Sequence, residues 1–216
     1  MQRIRLNFSC NKQISYIAHL DTMRLWERIL RRADIPLAYS QGFNPHPRIS
    51  MAAPRAIGIT SECELMDVFL KRRVPPIACM KDIVPQLPRG IDVLELLEVV
   101  VDAPSLQAQI SFAEYHVEVQ TDKSAQELQS TITGLLQMKQ IPWQHMRDTG
   151  PRHYDLRTLI DNIWLVERGD SICTLGMRLR CDSRGNGRPE QVSAALGFSE
   201  YPSSMHRTNL ILSPRT

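Results

Sequence analysis

The sequence contains five cysteines but has neither a Cys-x-x-Cys pair nor a closely spaced cysteine triplet. Zinc modules and iron–sulfur clusters need such spacing, so we expect neither kind of metal site here. A glycine-rich phosphate loop and the Gly-x-Ser-x-Gly turn of serine hydrolases are also absent from the sequence. These absences exclude the commonest nucleotide-binding and hydrolase motifs, and we predict no resident cofactor.

Long apolar runs and aromatic residues are scarce as well. No apolar stretch approaches the ~20 residues that a membrane-spanning helix needs. The opening residues, MQRIRLNFSC, alternate like a strand and do not form the apolar block of a signal peptide. We therefore expect a cytoplasmic protein without membrane contact. Phe, Trp and Tyr make up 6% of the 216 residues, which argues against a dense platform for stacking bases.

Charge is abundant but unevenly distributed. Residues 1–60 carry nine Lys or Arg against three acidic residues, residues 61–122 carry five against eleven, and the remainder carries twelve against nine. A basic first segment beside an acidic one can bind a polyanion while the formal net charge stays at +3. The same segregation arises when two oppositely charged elements pack together, so both interpretations remain open.

The strongest local pattern is an amphipathic helix predicted from His19 to Ala33. Its apolar residues recur with the helical period and form one broad face, made of Met23, Leu25, Trp26, Ile29, Leu30 and Ala33. Arg24, Arg28 and Arg31 follow the i, i+4, i+7 spacing on the opposite face, with Arg32 beside them. We call these four residues the arginine stripe. Such a stripe is either a solvated helix face or a surface for phosphates.

A polar loop follows the helix, where Gly42, Pro45 and Pro47 break regular structure. Its side chains supply groups that position a ligand or transfer protons. They are Tyr39, Ser40, Gln41, Asn44, His46, Arg48 and Ser50. We predict a pocket beside the stripe, lined by His19, Asp21, Tyr39, Gln41, Asn44 and His46. Arg48 and, near the end of the chain, Arg207 are predicted to join the stripe in binding an anion.

Catalysis by the chain itself is an open alternative. His19, Tyr39 and His46 would suffice for metal-independent cleavage of RNA by general acid–base chemistry, if the loop folds back over the helix. The two histidines with Asp21 would equally suit one metal ion. Both alternatives need the helix start and the loop to come together.

The order of predicted elements indicates an α+β fold made of two tandem ferredoxin-like (βαββαβ) halves with antiparallel sheets. The first half covers residues 1–103 and contains the arginine stripe and the loop, and the second covers residues 111–216. Strands or extended segments are predicted at Ile4–Phe8, Glu64–Leu70, Ile91–Val101, Tyr115–Val119, Pro142–Arg147, Leu156–Glu167, Ile172–Arg180 and Asn209–Leu212. Further helices are predicted at Pro75–Gln86, Ala125–Met138 and Arg188–Leu196.

One long segment, ISYIAHLDTMRLWERILRRADIPLAYSQGFNPHPRIS, resembles the radical SAM-linked family of uncharacterised proteins. Shorter pieces continue the resemblance over most of the chain. They are Ala56–Ile59, Ser61-Glu62, Tyr154–Arg157, Arg188–Glu190, Ala195–Gly197 and Arg207-Thr208. That family usually has Ser where this chain has Ala18, so a side-chain cap worth about 1 kcal/mol is missing at the helix start.

The resemblance implies a partner, because members of that family are encoded beside, or fused behind, a radical SAM enzyme. Together with the arginine stripe, it predicts an accessory protein that binds or presents an RNA substrate to such an enzyme. Two alternatives stay open. The chain is a stand-alone RNA-processing or RNA-modifying enzyme of the metal-independent ribonuclease type, or it is a scaffold that only stabilises the radical SAM partner.

Overall fold

A computed structural model of the protein describes residues 1–147 and 150–213. It shows a mixed α+β chain with mostly antiparallel strands, which confirms the α+β part of the predicted fold. The chain divides into two compact units, Met1–Ile110 and a second that begins at Ser111. Part of the predicted second half, residues 148, 149 and 214–216, lies outside the described residues. The ferredoxin-like description of both halves stays a prediction.

The first unit forms an antiparallel sheet in the order β4-β1-β3-β2. Its elements are β1 (Gln2–Cys10), α1 (His19–Arg32), β2 (Ile49–Met51), β3 (Thr60–Leu70), α2 (Pro76–Ile83), β4 (Val93–Val99) and the short α3 (Leu106–Gln109). Helix α1 connects β1 to β2, and α2 connects β3 to β4. The helix predicted over 75–86 is shorter in the structure, because Val84–Gln86 forms a 3-10 turn.

The core of the first unit lies between the sheet and α1. Ile4, Leu6 and Phe8 alternate along β1 and are fully buried, as the period-two pattern predicts. Trp26 is also fully buried, and its ring meets Phe8 edge-on with centroids 4.7 Å apart. Because Arg3 and Arg5 alternate with these apolar residues, they point to the opposite face of the sheet.

Both ends of α1 follow from the local sequence. The preceding residue is Ala18, which has no side chain to cap the helix, although its carbonyl accepts the Thr22 amide at 2.9 Å. At the other end Asp34 has a φ of 52°, the left-handed conformation that commonly terminates helices. The Ile35 amide then reaches back to the Leu30 carbonyl at 3.1 Å. Pro36 keeps the chain from resuming the helix.

The second unit contains a sheet in which β11 and β9 flank β5, and β8 and β10 both pair with β9. A separate two-stranded hairpin is formed by β6 and β7. The elements are β5 (Ile110–Gln120), α4 (Ala125–Gln137), β6 (Pro142–Arg147), β7 (Gly150–Asp155), β8 (Ile160–Arg168), β9 (Ile172–Asp182), β10 (Gly185–Asn186), α5 (Pro189–Ala195) and β11 (Ser204–Leu212).

Several predicted bounds in the second unit were wrong. The predicted strand 156–167 starts as a 3-10 turn over Leu156–Leu159, because the Asp155 carboxylate accepts the Arg157 amide and starts a tight turn. Strands β7 and β10 were not predicted, since both are short and contain no clear alternation of apolar and polar residues. The last strand begins at Ser204, earlier than the predicted Asn209.

Replacing Gly176 with alanine should destabilise the second unit by about 1–3 kcal/mol. The Trp164 ring lies across this position on the paired strand, and an added Cβ would come within 2.2 Å of its Nε1. Gly134→Ala is the matched control. It adds the same methyl group inside α4 where nothing lies within 4 Å, and should stabilise the protein by about 0.5–1 kcal/mol. Urea denaturation measures both, and equal effects would contradict the packing argument.

Candidate functional site

The arginine stripe lies on the side of α1 that faces away from the sheet. The opposite side of the helix is anchored by Trp26, Ile29 and Leu30, all essentially inaccessible to solvent. Side chains of Arg24 and Arg31 are 67% and 54% exposed. The stripe is therefore a solvent-facing ridge along the helix.

Three of the four guanidinium groups of the stripe have partners, and two of these partners lie within α1. Arg24 pairs with Asp21 at 3.0 Å, and Arg31 approaches Glu27 at 3.7 Å, both within the same helix. Arg32 donates to the side chain and carbonyl of Gln86 at 3.1 and 3.0 Å. Within residues 1–147 and 150–213, Arg28 makes no hydrogen bond or ion pair.

These local pairs leave the stripe positively charged. Exposed ion pairs three or four residues apart contribute about 0.3–0.5 kcal/mol, so an incoming anion displaces them at small cost. Neither carboxylate comes from the acidic segment 61–122. The structure thus keeps four guanidinium groups on one face and available to a ligand.

His19 and Asp21 lie at the start of α1. His19 is half-buried, and burial lowers the pKa of its imidazole, an effect that the nearby charge of Glu64 partly offsets. The neutral form of the ring is therefore favoured at neutral pH. Asp21 is exposed and bonded to Arg24, where it also faces the positive end of the helix dipole.

The polar loop is a narrow hairpin-like loop whose two sides are joined by hydrogen bonds. The Arg48 amide donates to the Ala38 carbonyl at 2.8 Å, and the Ser40 amide donates to the His46 carbonyl at 2.9 Å. The His46 amide donates to the Ser40 hydroxyl at 3.0 Å. Beyond these bonds the tip, including Gln41 and Asn44, is exposed to solvent. The loop projects outward and does not fold over α1.

The predicted pocket residues therefore form two separate groups. His19 lies close enough to Glu64 on β3 to feel its charge, whereas the chain entering the loop bridges Leu37 to Leu70 at the other end of β3. Six residues of strand span about 20 Å, as do the 14 residues of α1. The helix carries the chain from one end of the strand to the other, so His19 and Asp21 are not brought to Tyr39, Gln41, Asn44 and His46.

Tyr39 and Arg48, at the base of the loop, contact cations or rings of the first unit. The Lys71 ammonium lies 5.2 Å from the Tyr39 ring centroid. The Arg48 guanidinium stacks 4.2 Å above the Phe69 ring and also bonds to the Met1 sulfur at 3.3 Å. Phe69 alternates with the core residues of β3, so it lies on the face of the sheet opposite α1.

A cavity of about 450 Å³ opens on this face of the sheet. We call it the Phe69 pocket, and it is lined by Arg3, Arg48, Ile49, Ser50, Phe69, Val101, Ala103 and Ser105. Beneath it the fully buried Asp67 carboxylate accepts Arg3 at 2.5 Å and Arg5 at 2.7 Å. Arg3 also donates to the carbonyls of Ala103 and Pro104. Arg48 is therefore the guanidinium of this pocket with the greatest freedom to meet a ligand.

Arg207 does not present a cation to the surface. It is 1% exposed in β11 of the second unit, and its guanidinium lies 5.5 Å from the Tyr115 ring centroid. It also donates to the Tyr115 hydroxyl at 3.2 Å. The predicted anion-binding role of Arg207 is thus at odds with its burial, since residue 207 falls on the inward side of the strand alternation.

The described residues, 1–147 and 150–213, contain neither a cluster of metal ligands nor a membrane-spanning helix. There, no three His, Cys, Asp or Glu side chains come together in a way that would hold a metal ion. No helix in the same residues has both the length and the apolar character to cross a membrane.

Residues 3–189 match a family described as "Uncharacterized protein conserved in bacteria (DUF2344)". The chain belongs to this family. The DUF2344 description carries no link to radical SAM enzymes, so the partner implied by the sequence resemblance is not shown. No curated protein matches the chain.

Solved structures similar to this DUF2344 protein have low sequence identity to it. A chain of a Cbf5–Nop10–Gar1 complex is 10% identical with a TM-score of 0.51, and a chain of an archaeal box H/ACA sRNP Nop10–Cbf5 complex is 9% identical with a TM-score of 0.47. Each alignment covers 97% of this chain but 48% of the solved one, so the protein spans about half their length. The likeness shows the fold alone.

Sequence reasoning missed the Phe69 pocket. Its signal was present in part, because Arg3 and Arg5 alternate on a strand and Asp67 interrupts the otherwise apolar residues Leu65–Leu70 of β3. That combination indicates a buried charge pair on the outer face of a sheet. The stacking of Arg48 on Phe69 depends on strand register, which no local pattern gives.

Proposed function

We propose that the protein binds RNA through the arginine stripe and acts as an accessory protein of a radical SAM enzyme. The single observation that carries the RNA half is the stripe itself, which places four guanidinium groups on the solvent side of α1. Among the described residues, the carboxylates paired with them are those of Asp21 and Glu27. Arg24 and Arg31 are about 10 Å apart along the helix axis, a length that spans successive phosphates of a nucleic-acid backbone.

RNA is favoured over other polyanions by the scaffold as well as by charge. Two α+β units in tandem, as predicted here, are a common frame for RNA handling, although a fold does not fix a function. A chain of a Cbf5–Nop10–Gar1 complex has a similar fold over nearly the whole protein. The Phe69 pocket supports the same proposal, since a guanidinium stacked on an aromatic ring offers its outer face to a base.

The accessory role is supported over the stand-alone ribonuclease. That enzyme needs His19 to meet Tyr39 and His46, and these groups lie at opposite ends of α1. The radical SAM partner rests on the sequence resemblance. Co-purification of the tagged protein with a radical SAM enzyme from its own host would support this half, and its absence from the eluate would remove it.

Reversing Arg24 and Arg28 to glutamate should lower RNA affinity about tenfold or more at 0.1 M salt and flatten the salt dependence of log K by about 1.4 for single strands. Both side chains are exposed, so the melting temperature should stay within about 2 °C of wild type. Fluorescence anisotropy with labelled RNA at several salt concentrations measures affinity and slope together.

A double reversal of Lys81 and Arg89 is the matched control. Both residues are exposed basic groups of the first unit outside the stripe, so the net charge changes equally. This variant should retain most of the affinity. Equal losses in the two double variants would mean that net charge alone drives binding, and unchanged affinity after reversal of Arg24 and Arg28 would remove the stripe from the proposal.

A further inference from the structure

The β6–β7 hairpin of the second unit carries an aromatic and basic face. Across its antiparallel ladder Trp143 pairs with Tyr154, and His145 pairs with Arg152. Directly opposed residues share a face, and residues two apart along a strand do too. These four side chains therefore lie on one side of the hairpin.

Three guanidinium groups converge on a cavity of about 120 Å³ beside this face. It is lined by Arg152, Arg184 and Arg188, together with His145 and Tyr154 from the hairpin. A volume of this size suits one phosphate group rather than a larger ligand. The lining residues come from three different segments, so the charge is assembled by the fold and not by a local charge run.

Carboxylates offset only part of this charge. Arg184 pairs with Asp182 at 3.0 Å, and Arg188 approaches Glu190 at 3.8 Å. Asp182 is shared, because Arg180 also contacts it at 3.0 Å. Partial burial alone would raise the pKa of the Asp182 carboxyl, but hydrogen bonds from Arg184 and the charges of both arginines lower it overall.

Arg152 is the guanidinium that remains without a carboxylate in the part of the chain described. Its contact is the Tyr154 ring, 5.7 Å from its central carbon to the centroid. Holding this cation close to two other guanidinium groups is electrostatically unfavourable unless an anion binds between them. Arg152 is thus the group best placed to meet an incoming phosphate.

The cavity walls are fixed by close packing. An added Cβ at Gly185 would meet the Leu159 side chain at 2.5 Å, and one at Gly187 would meet Leu179 at 2.8 Å. Glycine at both positions lets the turn that carries Arg184 and Arg188 lie flat against the sheet. The Gly187 amide then donates to the Arg180 carbonyl at 2.8 Å.

Tyr154 is held equally firmly. Its hydroxyl donates to the Gln191 side-chain oxygen of α5 at 2.5 Å. Burial raises the pKa of Tyr154, although the Gln191 bond and the charges of Arg188 and Arg152 act in the opposite direction. The hydroxyl therefore keeps its proton and its bond at neutral pH, and the ring keeps its place between two cavities.

The second of these cavities has about 550 Å³ and an aromatic lining. It is lined by Trp143 and Tyr154 from this face of the hairpin and by Gln144 and His153 from the opposite face, together with Gln140, Pro142 and Asp155. Volumes of 300–1,000 Å³ are typical of small-ligand sites, and rings with a few polar groups are the usual lining for a base. Because Tyr154 lines both cavities, a base-sized and a phosphate-sized site lie side by side.

We propose that this hairpin binds one nucleotide of a single-stranded RNA, with the base against Trp143 and the phosphate against Arg152, Arg184 and Arg188. The inference rests on the proposed RNA binding but uses residues of the second unit and none of the stripe. The shared chemistry is a nucleoside phosphate, which a free mononucleotide also offers. A competition experiment distinguishes binding of an RNA strand from binding of a free mononucleotide.

The test uses the full chain and a fluorescein-labelled U10 RNA, with UMP as a competitor. Arg152→Glu and Trp143→Ala should each weaken U10 binding about tenfold, within the 1–3 kcal/mol that stacking on one aromatic ring contributes. Trp143→Phe should retain most of the affinity because it keeps a ring. Lys139→Glu, an exposed basic residue of the same unit outside both cavities, is the charge-matched control and should bind like wild type.

Displacement of U10 by UMP at comparable concentration would assign the site to free nucleotides, while tight U10 binding without competition assigns it to an RNA strand. Wild-type affinity in both Arg152→Glu and Trp143→Ala overturns the inference, and leaves the proposed function standing if reversal of Arg24 and Arg28 still weakens binding. Losses confined to the hairpin variants support the inference and overturn the role of the stripe. Circular dichroism melting establishes that Trp143→Ala is folded, and Arg152→Glu tests the site without changing a packed ring.

Discussion

Replacing Asp67 with alanine should lower the free energy of unfolding by about 3–5 kcal/mol, because it leaves buried arginine charge without its partner. Asp67 is fully buried, and its two oxygens accept bonds from Arg3 and Arg5. Arg3 is itself 2% exposed, so its guanidinium is largely shielded from water. Urea denaturation followed by far-UV circular dichroism measures the loss.

Asp21→Ala is the control for this prediction. It removes the same kind of side chain and the same kind of ion pair, but Asp21 and Arg24 are 58% and 67% exposed. Exposed pairs contribute less than about 1 kcal/mol, so this variant should differ little from wild type. A similar small loss in Asp67→Ala would show that Arg3 finds other partners and that the network does not stabilise the first unit.

Helix α1 could be predicted closely because its information is local. The apolar period, the arginines on the other face and Pro36 are all written in consecutive residues, and the structure gives His19–Arg32 where His19–Ala33 was predicted. A helix needs only its own residues to define its faces. The solvent-facing position of the stripe followed from the same local pattern.

The pocket could not be predicted because it depends on which ends of the elements meet. His46 and His19 are 27 positions apart, and their distance is set by the length of α1 and the register of β3. The composition of the loop correctly predicted a polar, exposed segment, but it did not indicate whether the loop folds over α1 or projects away from it. Arg207 shows the same limit, since a lone arginine near a chain end reveals nothing of the Tyr115 ring that covers it.

The uneven charge of the sequence has a more specific meaning in the structure. Of the two interpretations left open, pairing between the basic and acidic segments occurs at β1 and β3, where Arg3 and Arg5 meet Asp67. The arginines of α1 take no part in it. The uneven charge therefore has two sources: a buried ion-pair network on one face of the sheet, and arginines only partly neutralised on the helix that covers the other face.

Replacing Trp26 with alanine should cost about 3–5 kcal/mol, the usual range for removing a buried aromatic side chain. Trp26 is fully buried between α1 and the sheet, and its edge-on contact with Phe8 is lost together with its apolar area. Leu20→Ala, on the same helix but 67% exposed, should stay within about 0.5 kcal/mol of wild type. Trp26→Phe should fall between them, because it leaves a smaller void and removes an indole N–H that is buried without an acceptor among the described residues.

Urea denaturation compares all three, and equal stability of Trp26→Ala and Leu20→Ala would mean that this face does not hold α1 on the sheet. The outward direction of the arginine stripe would then lose its physical cause, since the stripe faces solvent only because Trp26 faces the core.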